Sequence, residues 1–134
     1  MQVNVPIDIA DAVQQALAFA GHVASARPLP PDFADRLPLS VVDSLLGGER
    51  TDVVVDRFAV RVYTWAETPA EAIEESSAAM ATLMACEGGM LGGTQCYRIV
   101  PTSQPYDAPD ELHPTLSRAC FTAQVYARAK TIEI

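Results

Sequence analysis

Apolar and polar residues alternate along residues 57–66, RFAVRVYTWA, and a helical repeat follows in residues 69–86. One face of this extended chain carries Phe58, Val60, Val62 and Thr64, and the other carries Arg57, Ala59, Arg61, Tyr63 and Trp65. Thr68, Pro69 and Glu71 then form a capping box with proline at the first helical position. The pattern predicts a strand that passes directly into a helix packed across a sheet.

The same periodicities predict a first helix over residues 8–20, ended by Gly21. They also predict strands over residues 22–26, 39–46, 51–65, 94–100 and 117–130, with a hairpin turn at 47–50. We therefore expect an α+β fold. It should have an antiparallel or mixed sheet of about four or five strands, two helices packed on one face, and a projecting hairpin or loop.

Two segments do not fit regular elements. Residues 27–38 contain four prolines, which exclude a central strand and predict an extended, proline-rich arm over the surface. Residues 101–116, which begin PTSQPYDAPDELHP, predict a loop of unusual length, and such loops are often functional.

The length, charge and cysteine content of the chain limit the classes of protein to which it can belong. A chain of 134 residues with 49% apolar content suits a single domain over residues 1–134. A net charge of −8 argues against binding nucleic acid through its phosphates, which requires a basic surface. The three cysteines lack CxxC spacing and predict reduced thiols. No apolar run reaches the roughly 20 residues of a membrane span, and no signal peptide is recognised, so we expect a soluble protein without a membrane partner.

The sequence offers little catalytic material. His22 and His113 are the two histidines, and neither has a nucleophile or acid at motif spacing. The carboxylates at Glu67, Glu71, Glu74 and Glu75 cluster where the helix dipole favours negative charge. We therefore expect no catalytic residues, no cofactor and no metal, although a small cytoplasmic α+β enzyme or ligand-binding protein remains an alternative.

Aromatic residues suggest binding instead. Tyr63, Trp65 and Tyr106 are of the types that anchor protein interfaces. Trp65 has a second interpretation, in which it only covers the start of the following helix.

The order of these segments resembles a known family. A helix precedes a proline-rich segment ending LPLSVV, a GG turn, the strand RFAVRVYTWA and a TPAEA helix. A glycine turn, a loop with PYDAPD and HP, and the strand SRACFTAQVYARAK follow. Over residues 9–130 this resembles the tail terminator (tail completion) proteins of long non-contractile-tailed phages, particularly actinobacterial phages.

The resemblance implies a structural virion protein that is assembled in the host cytoplasm and located at the tail–head junction. Its partners would be further copies of itself in a homohexameric ring, the major tail tube protein and a head–tail connector, while DNA passes through the lumen without specific binding. The ring would cap the tube and end its polymerisation. The candidate interface residues are Arg61, Tyr63, Trp65, Tyr106, Asp107 and Arg118. Another neck or connector protein, or a tube subunit, is the alternative.

Overall fold

The computed structural model describes residues 1–45 and 48–134 in full, and residues 46–47 only as part of a strand. The elements follow in the order β1 (Gln2–Val5), α1 (Ile9–Phe19), β2 (Ala24–Ala26), β3 (Leu39–Arg50), β4 (Val55–Ala66), α2 (Pro69–Met84), β5 (Met90–Leu91), β6 (Thr94–Asp107), β7 (Ser117–Arg128) and β8 (Lys130–Glu133). A short 3-10 helix, Phe33–Asp35, lies between β2 and β3. The α+β class predicted from the sequence is confirmed.

Both helices begin where their capping residues predict. The side chain of Asp8 accepts a hydrogen bond from the backbone N–H of Asp11 at 3.1 Å, ahead of α1. The side chain of Thr68 accepts one from the N–H of Glu71 at 3.2 Å, ahead of α2. Each bond satisfies a backbone donor that the first helical turn leaves without a partner.

The main sheet has six strands in the order β2-β3-β4-β7-β6-β5. Only β2 and β3 run parallel, so the sheet is mixed. A second sheet joins β1 to β8, with Gln2 opposite Glu133. The predicted count of four or five strands was too low, because β1, β5 and β8 are too short to show an alternating pattern.

The hairpin between β3 and β4 turns later than predicted. Glu49 and Arg50 pair with Arg57 and Asp56 inside the ladder, so the turn lies at residues 51–54; Gly47, part of the predicted turn, lies outside the fully described residues. A bulge between Leu45 and Glu49 absorbs extra residues of β3. Because β4 pairs with β7 from Val55 to Ala66, the hairpin does not project beyond the sheet as we expected.

The predicted loop at 101–116 is a strand as far as Asp107, and only residues 108–116 connect β6 to β7. Two prolines, Pro101 and Pro105, lie within β6. They are tolerated because β6 pairs on its outer side with β5 only at Thr94 and Gln95, which leaves the rest of that edge without a second ladder. The last two long strands, β6 and β7, pair antiparallel.

The helices share one face of the main sheet, and together they bury its largest apolar cluster. The α2 helix crosses β4, β7 and β6, whereas α1 lies toward β2 and β3. Fully buried side chains in this cluster come from both helices and from the strands beneath them: Val13, Leu17, Val42, Val60, Val62, Leu83, Phe121 and Val125.

The proline-rich segment 27–38 covers the opposite face of the sheet. Phe33 is buried against Leu39, Val41 and Trp65, and the side chains at positions 29 and 37 pack at the edge of the same cluster. The predicted arm therefore packs on its own sheet, because three apolar side chains between the prolines gain more from burial than from exposure.

Candidate functional site

Arginines gather on the face of the main sheet that is turned away from the helices. Opposite residues of antiparallel strands share a face, and the register places Arg57 opposite Tyr126, and Tyr126 in turn opposite Arg98. We use the term arginine face for this surface. It carries the side chains of Arg57, Arg61, Arg98, Arg118 and Arg128, and Arg27 lies at its rim. These are six of the nine basic residues of the chain.

Five of the six candidate residues predicted from the sequence lie together on this face. The Arg118 guanidinium lies over the Tyr63 ring at 4.2 Å and over the Trp65 ring at 5.5 Å. The Arg61 guanidinium also lies over the Tyr63 ring, 5.1 Å from its centre. Tyr106, about half exposed, lies opposite Cys120, which is itself opposite Tyr63.

Asp107 does not join this group. It pairs with Ala119, whose side chain packs with Ala66 and Ala72 beneath α2. Because side chains alternate between the two faces of a strand, Asp107 lies on the opposite side from Tyr106. The structure therefore brings Tyr106 into this group but leaves the predicted candidate Asp107 on the other face of the sheet.

The connection between β6 and β7 closes one end of the arginine face through Asp110. One carboxylate oxygen of Asp110 accepts hydrogen bonds from Nε1 of Trp65 at 3.0 Å and from Nδ1 of His113 at 2.7 Å. The other accepts from the backbone N–H of Leu112 at 3.1 Å. Arg118 of β7 holds the same connection against the sheet, because its guanidinium donates hydrogen bonds to the carbonyl oxygens of residues 108 and 109.

These contacts decide the protonation of Asp110. Burial alone would raise the pKa of this carboxyl, but the hydrogen bonds from His113, Trp65 and the Leu112 N–H, with the charge of Arg118, hold the pKa below its ordinary value. A lowered pKa in the folded state means that the stabilisation is complete above the unfolded pKa of about 4 and is lost as pH falls through the folded value.

We predict that Asp110→Asn lowers the free energy of unfolding by about 1–2 kcal/mol at pH 7 and by much less at pH 3. The reason is that acid protonates the wild-type carboxyl and removes its advantage over the amide. Urea unfolding of both proteins at a series of pH values measures this difference. A difference that does not change between pH 7 and pH 3 would contradict the assignment.

A cavity of about 500 Å³ opens between the arginine face and the covering segments. Much of its lining was not predicted from the sequence as part of a site: Arg27, Leu29, Val41, Asp43, Asp110, Leu112 and His113. Asp43 binds Arg27 at 2.9 Å and lies 3.9 Å from Arg61. The alternation along β3 and the Asp–x–x–His spacing in the 108–116 connection were the available signals.

Charge is separated across the molecule. Neither α1 nor α2 contains lysine or arginine, while α2 carries Glu71, Glu74 and Glu75 after Glu67. The basic residues instead lie mostly on the arginine face, on the far side of the sheet from the helices. The arginines are therefore concentrated on one side of the sheet, where Asp43, Glu49 and Asp110 lie beside several of them, and the glutamates of α2 lie on the other side.

His22 lies in a separate cluster with two residues of α2. Its Nδ1 is 2.7 Å from a carboxylate oxygen of Glu75, and its Nε2 is 2.9 Å from the hydroxyl of Thr82. The order of acid, imidazole and hydroxyl is that of a catalytic triad. However, the hydroxyl of Thr82 donates to the Ala78 carbonyl in its own helix at 2.9 Å, which fits a link between α2 and the end of α1.

Comparison with models of known protein families finds no match, and no curated protein matches the sequence significantly. Within the fully described residues, no group of three or more histidine, cysteine, aspartate or glutamate side chains is placed to bind a metal ion. Among the same residues, no helix combines the length and the apolar character needed to cross a membrane. The geometry of the arginine face is thus the main guide to function.

Proposed function

We propose that this chain is a ring-forming tail terminator, a structural virion protein that caps a phage tail tube and ends its polymerisation. The observation that carries the proposal is the separation of charge between the arginine face and the helices. A closed ring needs two different complementary patches on each subunit. An arginine-rich face and an acidic helix on opposite sides of one sheet are two such patches.

The resemblance described from the order of the segments supports the same function. On this proposal the partners are further copies of the chain in a homohexamer, the major tail tube protein and the head–tail connector. The protein is assembled in the host cytoplasm and resides at the tail–head junction of the virion. DNA passes through the ring without specific binding, consistent with the net charge of −8.

Electron microscopy of particles made without this chain tests the proposal. We predict overlong tails without heads, because the tube polymerises without a stop and lacks the surface that docks to the connector. A mutant lysate supplied with the wild-type chain from a plasmid is the control. Full heads that leak DNA would instead assign the chain to the connector, and an absence of tubes would make it a tube subunit.

A further inference from the structure

Arg61 differs from the other arginines of the arginine face in having a buried side-chain donor without a partner among the fully described residues. Its guanidinium makes no hydrogen bond with any fully described residue, and its Nε is buried without a partner. The nearest carboxylate, that of Asp43, lies 3.9 Å away and is already bound by Arg27 at 2.9 Å. An arginine carries five N–H donors, and a buried donor without an acceptor is costly.

The surroundings of Arg61 are suited to a carboxylate. The guanidinium borders the 500 Å³ cavity, between the ring of Tyr63 and the side chain of Asp43. Arg118 on the same cavity is occupied by its bonds to two backbone carbonyl oxygens. Arg61 is therefore the group in this cavity that lacks an acceptor, and a carboxylate can bind its donors in pairs.

Carboxylates without a partner lie on the outer side of α2. Glu71 and Glu74 are exposed, form no ion pair among the fully described residues, and stand three positions apart on one helical face. The next residue along that face, Ala78, is small and lines a shallow groove with both glutamates. A neighbouring surface can therefore approach the helix closely at this point.

We propose that the Arg61 cavity binds Glu71 and Glu74 of a second copy of this chain. The two patches lie on opposite sides of the sheet, so the contact is head-to-tail and can repeat from copy to copy. The inference rests on the proposed ring function and names the surfaces that the ring would join. Opposite charge on the two patches also orients the approaching copies.

Charge-reversal substitutions on the two patches of the purified protein test this contact. Arg61→Glu should weaken self-association about 30-fold or more, and so should Glu71→Arg combined with Glu74→Arg, because each leaves like charges facing one another. The chain with all three substitutions should recover most of the affinity. Sedimentation equilibrium up to about 1 mM protein measures the association constants.

Two further variants separate binding from folding. Arg61→Gln removes the charge without placing a carboxylate beside Asp43, and it should weaken association while leaving the circular dichroism spectrum unchanged. Lys130→Glu makes the same charge reversal on β8, outside the arginine face and both helices, and should leave association as in the wild type.

The outcomes distinguish this inference from the ring proposal. Oligomers that form equally well with Arg61→Glu would overturn the contact and leave the ring proposal standing. A wild-type chain that stays monomeric to the highest concentration would also overturn the contact, and the ring would then depend on the tail morphology alone. Binding of a labelled single-stranded oligonucleotide that is lost in Arg61→Gln would assign the cavity to nucleic acid and overturn the inference.

Discussion

Trp65→Ala is expected to lower the free energy of unfolding by about 3–5 kcal/mol, a large share of the total for a domain of this size. The indole is 5% exposed, and its ring meets that of Phe33 edge-on at 6.0 Å. The substitution leaves a cavity beneath the proline-rich segment and also removes a donor to Asp110. Urea unfolding at pH 7 measures the loss.

Trp65→Phe separates packing from hydrogen bonding. It keeps an aromatic ring against Phe33 but removes the Nε1 donor, so the expected loss is about 1–3 kcal/mol. If Trp65→Ala costs no more than the phenylalanine variant, the ring is not a central packing element of this face, and the account of the covering segment is wrong.

Gly92→Ala is expected to destabilise the protein by about 2–5 kcal/mol, because it combines backbone strain with overpacking. Gly92 has φ +54° in the two-residue turn between β5 and β6. A Cβ atom there would lie 2.5 Å from the carbonyl oxygen and 2.7 Å from the Cα of Ala12 in α1. Both neighbours are backbone atoms, so the helix itself would have to move.

Gly93→Ala is the matched control in the same turn. Gly93 has φ +87°, but a Cβ atom at this position would meet nothing within 4 Å. The free energy of unfolding of this control should therefore fall only by the cost of the backbone strain, about 1–2 kcal/mol. Equal losses for the two variants in urea unfolding would show that the contact between the turn and α1 does not limit stability.

Local signals predicted the helices well. Thr68 makes the capping hydrogen bond that its place in the sequence predicts, and α2 begins at Pro69 as expected. The first helix begins at Ile9, one residue after its predicted start at Asp8. A cap acts on neighbouring backbone groups, so its effect is visible within a few residues of sequence. The central strand β4 followed from alternation for the same reason.

The missed features depend on distant contacts. The pairing of Gln2 with Glu133 joins the two ends of the chain, and no local pattern reveals it. Val53 illustrates a different failure. It extended the apolar run that we assigned to a strand, yet it lies 74% exposed at the tip of the hairpin. Hydrophobicity alone cannot separate a short turn from the strand it adjoins.

The candidate site was predictable in part. Alternation placed Arg61, Tyr63 and Trp65 on one side of a strand, and that side is the arginine face. The contribution of Asp110 depends on where the 108–116 connection folds back, which the sequence does not specify. The separation of charge was hidden for a similar reason, since a net charge reports a sum and not a distribution.

The distribution of tail contour lengths in electron micrographs tests whether this chain is a tail terminator. Particles assembled with the wild-type chain should have tails of one narrow length. Particles assembled without it should have tails that extend past that length, with a broad distribution and no attached heads. Tails that keep the wild-type length in the absence of the chain would contradict its assignment as a terminator.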